Sequence, residues 1–124
     1  MKFKESIIEM IYLCEINPFL KCAIIVSEKE EKELIDKFIL EYKENNQNFQ
    51  ERLRFNTRTE LIFNNGSVMK IICITGSGFK GTRFNKILCA RNVPQDVIDV
   101  VIKPMITPYF FPKPVQIMDV KDDE

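Results

Sequence analysis

Residues 59–104 read TELIFNNGSVMKIICITGSGFKGTRFNKILCARNVPQDVIDVVIKP, and this stretch most narrows what the chain can fold into. Two strand-like runs, 59–63 and 68–74, flank Asn65-Gly66. Asn-Gly readily takes the positive φ values that a tight hairpin turn demands. Gly76 to Gly81 is a loop by composition, and residues 86–90 form a second short apolar strand. Pro94 suits the first turn of a helix. Val97, Ile98, Val101 and Ile102 then share one face, and Pro104 stops it. A hairpin, a strand and a helix in that order require a sheet with a helical layer against it.

The chain before this stretch agrees. Phe3, Ile7, Ile8 and Ile11, with Cys14 and Glu15 after them, follow helical spacing over residues 3–16. Asn17-Pro18 ends that helix. Cys22 to Val26 is a continuous apolar run with β-branched residues, as expected of a parallel strand buried on both faces. Ser27 is placed to cap a second helix, with Glu30 completing a capping box. That helix runs to about Glu44, with Leu34, Ile35, Phe38, Ile39 and Tyr42 on one side. Glu28, Glu30, Glu31 and Glu33 crowd its first turns, where the helix dipole favours negative charge. Residues 45–58 are polar and aperiodic, which predicts a loop anchored by Phe49, Leu53 and Phe55. Pro108, Pro112 and Pro114 mark an extended arm, 115–120 an edge strand, and the last four residues a disordered acidic end. The expected fold is α/β: a small mixed β-sheet flanked by helices, with a β-hairpin and an extended Pro-rich C-terminal arm. A single α/β domain is expected over residues 1–106, with the arm and acidic tail over 107–124.

Charge is balanced overall, 18 basic against 18 acidic residues, but unevenly placed. Residues 58–91 hold Arg58, Lys70, Lys80, Arg83, Lys86 and Arg91 against one acid, Glu60. The region after Arg91 is acidic. A basic middle attracts phosphates or an acidic protein face; a solvated surface is the plainer alternative. The four cysteines lie in apolar stretches without metal-knuckle spacing, and there is no histidine. Reduced, buried thiols are expected, with no metal and no cofactor. No apolar run nears the roughly 20 residues of a membrane span. Glutamates interrupt the N-terminal apolar segment and no small-residue cleavage site follows, so the expected setting is the cytoplasm and not a membrane.

The segment GSGFKG resembles a phosphate loop but misses its spacing: Lys80 precedes Gly81, and Thr82-Arg83 lead into a strand rather than a helix. A looser anion or nucleic-acid site is the expectation, built from Arg58, Ser77, Lys80, Thr82, Arg83, Lys86 and Arg91. No catalytic residue is assigned, because no histidine can activate a serine. Asp96 and Asp99, three apart on a helix, are more simply solvating charges than an acid–base pair. Tyr109, Phe110 and Phe111 in the arm either pack onto the core or contact a partner or a second copy.

These motifs resemble the ATPase core of viral large terminase subunits, the motors that package DNA. Asn65-Gly66-Ser67 looks like that family's hairpin turn, and Lys80-Gly81 like its basic residue and glycine. Residues 87–90 look like its Walker B strand and 94–104 like the helix after it. The likeness covers roughly residues 7–105. It implies that the P-loop would precede this chain, so no Walker A motif is expected. Where the Walker B acids belong stand Ala90, Arg91 and Asn92. The resemblance therefore implies a scaffold without ATPase activity. The expectation is a non-catalytic viral (phage-like) accessory or regulatory protein in the host cytoplasm. It would bind a macromolecular partner, protein or nucleic acid, through a basic face and inhibit or regulate a nucleic-acid machine. A nucleotide or nucleic-acid binding module and a structural or assembly protein, homo-oligomeric through its arm, are the alternatives.

Overall fold

The computed structural model describes residues 2–44, 49–54, 58–74, 82–107, 111 and 113–120. Six strands form one mixed sheet: β1 (Lys21–Val26), β2 (Phe49–Arg54), β3 (Arg58–Phe63), β4 (Val68–Cys73), β5 (Lys86–Ala90) and β6 (Val115–Met118). Their order is β2-β3-β4-β1-β5-β6. β4, β1, β5 and β6 run parallel, while β2 and β3 add an antiparallel edge. With helices against it, this is the expected α/β fold.

β1 lies at the centre, parallel to β4 on one side and β5 on the other. All but its first residue are buried, which is why its sequence shows no alternation. β3 does alternate, with Thr59, Leu61 and Phe63 inward and Arg58, Glu60 and Ile62 half-exposed. The expected loop at 45–58 is corrected over part of its length. Residues 49–54 pair with β3, with an irregularity between Glu51 and Leu53. That slip and the polar composition hide the strand from a periodicity reading. The anchors Phe49 and Leu53 fall within it. Phe55 lies outside the described residues, as do the last four.

Helices α1 (Phe3–Ile16) and α2 (Lys29–Glu44) cover the face that carries Cys22, Thr59 and Ile71. Phe3 meets Phe38 edge-on at 6.0 Å between ring centroids. α1 buries Phe3, Ser6, Ile7, Met10, Ile11 and Cys14, so Ile8 of the expected stripe faces outward. The capping box of α2 sits one residue later than expected. Glu31, buried, accepts from the Glu28 backbone N–H at 3.1 Å and the Ser27 hydroxyl at 3.3 Å, while Glu30 is exposed. Behind it the buried Lys32 ammonium donates to Asp36 at 2.6 Å and to Thr59 at 2.9 Å, joining α2 to β3.

The other face is covered by the chain between β5 and β6. A single α-turn, α3 (Gln95–Val97), widens into a π-turn at Ile98–Ile102 and tightens into a 3-10 turn at Lys103–Met105. Pro104 lies inside that last turn, so the helix ends one residue beyond its expected stop. Ile98, Ile102 and Met105 are buried. β6 continues the sheet beside β5, and Met118 and Val120 join the core.

The Asn65-Gly66-Ser67 turn has a structural task. Only Gly66 takes a positive φ there, 89°. The Asn65 side-chain amide donates to the carbonyls of Cys14, Glu15 and Asn17 at 2.7–3.3 Å. The buried Ser67 hydroxyl donates to the Asn17 carbonyl at 2.6 Å and accepts from the Leu20 N–H at 3.0 Å. The last carbonyls of a helix lack intrahelical donors; here the hairpin supplies them. No helix among the described residues is long and apolar enough to cross a membrane.

Candidate functional site

Of the seven residues expected to form one anion site, the five described ones are distributed over the molecule. Ser77 and Lys80 lie outside the described residues. Lys86 opens β5 and Arg91 follows its end, a separation of about 16 Å at strand rise. The two therefore belong to opposite ends of the sheet.

Arg91 stands at the carboxyl end, beside the switch point between β1 and β5 where open α/β sheets usually hold ligands. Its guanidinium forks onto the Asp119 carboxylate: Nε donates to Oδ1, and Nη2 to Oδ2 at 3.3 Å. Hydrogen bonding from Arg91 holds Asp119 below the usual carboxylate range. Next to it, the Asn92 amide donates to Glu28 at 3.3 Å. An anion could reach Arg91 only in competition with Asp119.

At the amino ends a different group assembles. Lys21, Glu60, Val68, Lys70, Thr82 and Phe84 line an open cleft of about 180 Å³. Register explains the grouping. Lys21 pairs with Val68, Ala23 with Lys70, and Glu60 with Lys70 across β3–β4. Strand alternation then puts Lys21, Lys70 and Glu60 on one face, with the small side chain of Ala23 beside Lys70. Phe84, buried, fixes the rim: its N–H donates to the Met105 carbonyl and its carbonyl accepts from the Thr107 N–H, both at 2.8 Å. Asn85 holds Lys21 in place through two bonds of 2.7–2.8 Å to its backbone.

Of the expected residues, Thr82 lines this cleft and Arg83 is its exposed neighbour. Arg83 Nη1 donates to the Pro104 carbonyl at 3.2 Å, which uses one of five guanidinium donors. Arg58 lies on the same face as Lys70, two residues beyond Glu60 along β3. Lys86 pairs with Cys22, so alternation turns it to the opposite face. Its ammonium sits 5.7 Å from the Phe111 ring centroid, a cation–π contact. Phe111, half-buried, thus packs on its own chain, while Tyr109 and Phe110 lie outside the described residues. Lys21 was not among the expected site residues and neither was Lys70. Lys70 was legible as the one charge in an apolar strand; Lys21 gave no signal, because its place depends on the parallel pairing of β1 with β4.

The thiols are poorly suited to chemistry. All four cysteines are buried and unbridged. A hydrogen bond with Cys22, together with burial, pushes the Cys14 thiol far up, and burial pushes Cys89 up to about 12. Asp99 is held as a carboxylate by hydrogen bonds from Lys103 at 2.9 Å and Gln95 at 3.0 Å, which argues against a proton-donating role. Comparison of the chain with family models, with characterised proteins and with solved structures finds no match.

Proposed function

We propose that this chain is a non-catalytic binding protein. It would grip an acidic group of a macromolecular partner in the cleft between Lys21, Lys70 and Thr82, with Arg83 at the rim. The carrying observation is that two ammonium groups from different strands and a hydroxyl line one open cavity of about 180 Å³, against one acid, Glu60, which faces Lys70 across the strands. Paired cations in a partly enclosed cleft attract carboxylates and phosphates more strongly than the same charges spread over a surface. The fork between Arg91 and Asp119 supports the non-catalytic part. Nucleotide hydrolysis needs a carboxylate free to hold magnesium, and at that strand end a cation is tied to the nearest acid.

The likeness to the packaging-motor ATPase core gives this reading its setting: a viral, phage-like accessory protein that regulates or inhibits a nucleic-acid machine. The cleft holds few cations, which favours an acidic protein face over a nucleic-acid backbone. Titration of a fluorescein-labelled acidic peptide and of labelled single-stranded DNA tests this at two salt concentrations. The peptide is expected to bind more tightly. If DNA is the partner, neutralising about three phosphates lowers its affinity about 20-fold between roughly 50 and 200 mM salt. Magnesium-dependent ATP turnover by the purified protein would overturn the proposal.

A further inference from the structure

Helix α1 carries more apolar surface than the core uses. Beyond the buried stripe, its outer side holds Ile8, Tyr12 and Ile16, which are 40%, 59% and 54% exposed. The four-residue spacing sets these three in one row. Phe19, just past the helix, is 78% exposed. A helix that is apolar on both sides is ordinarily covered on both.

Phe19 is held in an unfavourable state to keep this position. Its φ is 59°, the one positive value among described residues other than glycine, and a bulky side chain disfavours that region. The ring is located rather than loose. It lies over Gly66, where a Cβ would come within 2.6 Å of it. Strained backbone that presents an exposed aromatic is a feature of binding sites.

Charge identifies the occupant. Glu5 and Glu9 are exposed on α1 beside the apolar row, against one exposed lysine, Lys4, at its head. At its carboxyl end, Glu15, Phe63, Asn64 and Asn65 line a second recess of about 180 Å³, in which Glu15 is the one acid. A second copy fits badly, since an antiparallel α1 pair centred on Tyr12 sets Glu9 against Glu15 of the other copy, and like charges repel.

We infer that the outer face of α1, with Phe19 and the Glu15 recess, docks a basic amphipathic helix of a partner protein. The partner's apolar side chains would lie along Ile8, Tyr12, Ile16 and Phe19, and a lysine or arginine would enter the recess. This surface is separate from the lysine cleft and does not depend on its function.

The probe is a synthetic amidated helix with a leucine stripe flanked by lysines, compared with its glutamate-flanked counterpart. Amide shift mapping on the full chain is expected to show the lysine peptide perturbing α1 and residues 64–65, and the glutamate peptide not binding. Tyr12→Ser and Phe19→Gly are each expected to weaken binding about tenfold. Phe19→Gly also relieves the left-handed backbone, so its melting temperature should not fall. That outcome separates a docking residue from a structural one. Equal binding of both peptides, unchanged affinity in both variants, shifts centred on Lys21 and Lys70, or self-association through α1 would overturn the inference.

Discussion

The carboxyl end of the parallel strands and their amino end treat charge in opposite ways. At the carboxyl end, among the described residues, polar groups are matched within the chain: Arg91 to Asp119, Asn92 to Glu28, and the buried Glu31 to the start of α2. One turn into that helix, Lys32 and Asp36 are paired out of solvent. At the amino end, Lys21 and Lys70 border an open cleft with Thr82 and Glu60. Among the described residues, the customary ligand end of an α/β sheet is closed by these matched pairs, while the opposite end carries an open cleft with two lysines and one acid. Position in a fold does not assign a site; whether local charges are matched inside the chain is the better guide.

The contrast implies that charges at the carboxyl end stabilise and those at the amino end bind. Lys32→Ala tests the first half most severely. It leaves the Asp36 carboxylate buried without its cation, at a cost of about 3–5 kcal/mol in chemical denaturation. Replacing both partners, Lys32→Met with Asp36→Leu, is expected to restore most of that loss. The second half is tested by Lys21→Gln with Lys70→Gln. Acidic-peptide affinity should fall about 100-fold while the denaturation midpoint stays near wild type; a collapse in stability would make these lysines structural. Glu31→Ala should lower stability by about 1–2 kcal/mol through loss of the α2 cap and leave peptide affinity unchanged.

The smallest effect is expected at Arg91, whose pair with Asp119 is exposed to screening. Arg91→Ala should lower stability at neutral pH only slightly, and the difference from wild type should vanish in acid. Asp119 and Asp99 are held below the usual 3.8, so their contribution is present above that value and lost as pH falls through the lowered ones. Circular dichroism against pH should show a shallower acid loss in the variant. An identical curve would mean that the pair is absent in solution.

Much of the fold was legible in the sequence. The unbroken run from Cys22 to Val26 signalled a buried parallel strand because such strands need no polar face. Asn-Gly between two apolar runs signalled the hairpin. β2 was not legible, because an edge strand with a slipped register carries little periodicity. The π-turn at Ile98–Ile102 was not either, since its apolar residues satisfy an α-helical stripe equally well. The site was only partly legible. Counting cations along residues 58–91 located a basic region but not its geometry, because Lys86 and Arg91 are close in sequence yet lie at opposite ends of one strand. Lys21 lies 49 positions before Lys70 in the sequence, and only the parallel pairing of β1 and β4 brings them together.

The most direct test of the contrast is amide shift mapping of the full chain during titration with inorganic pyrophosphate, a small probe of anion affinity. Perturbations are expected at Lys21, Lys70, Thr82 and Arg83, with Arg91, Asn92 and Asp119 unmoved. Shifts concentrated at Arg91 and Asp119, with Lys21 and Lys70 silent, would contradict it.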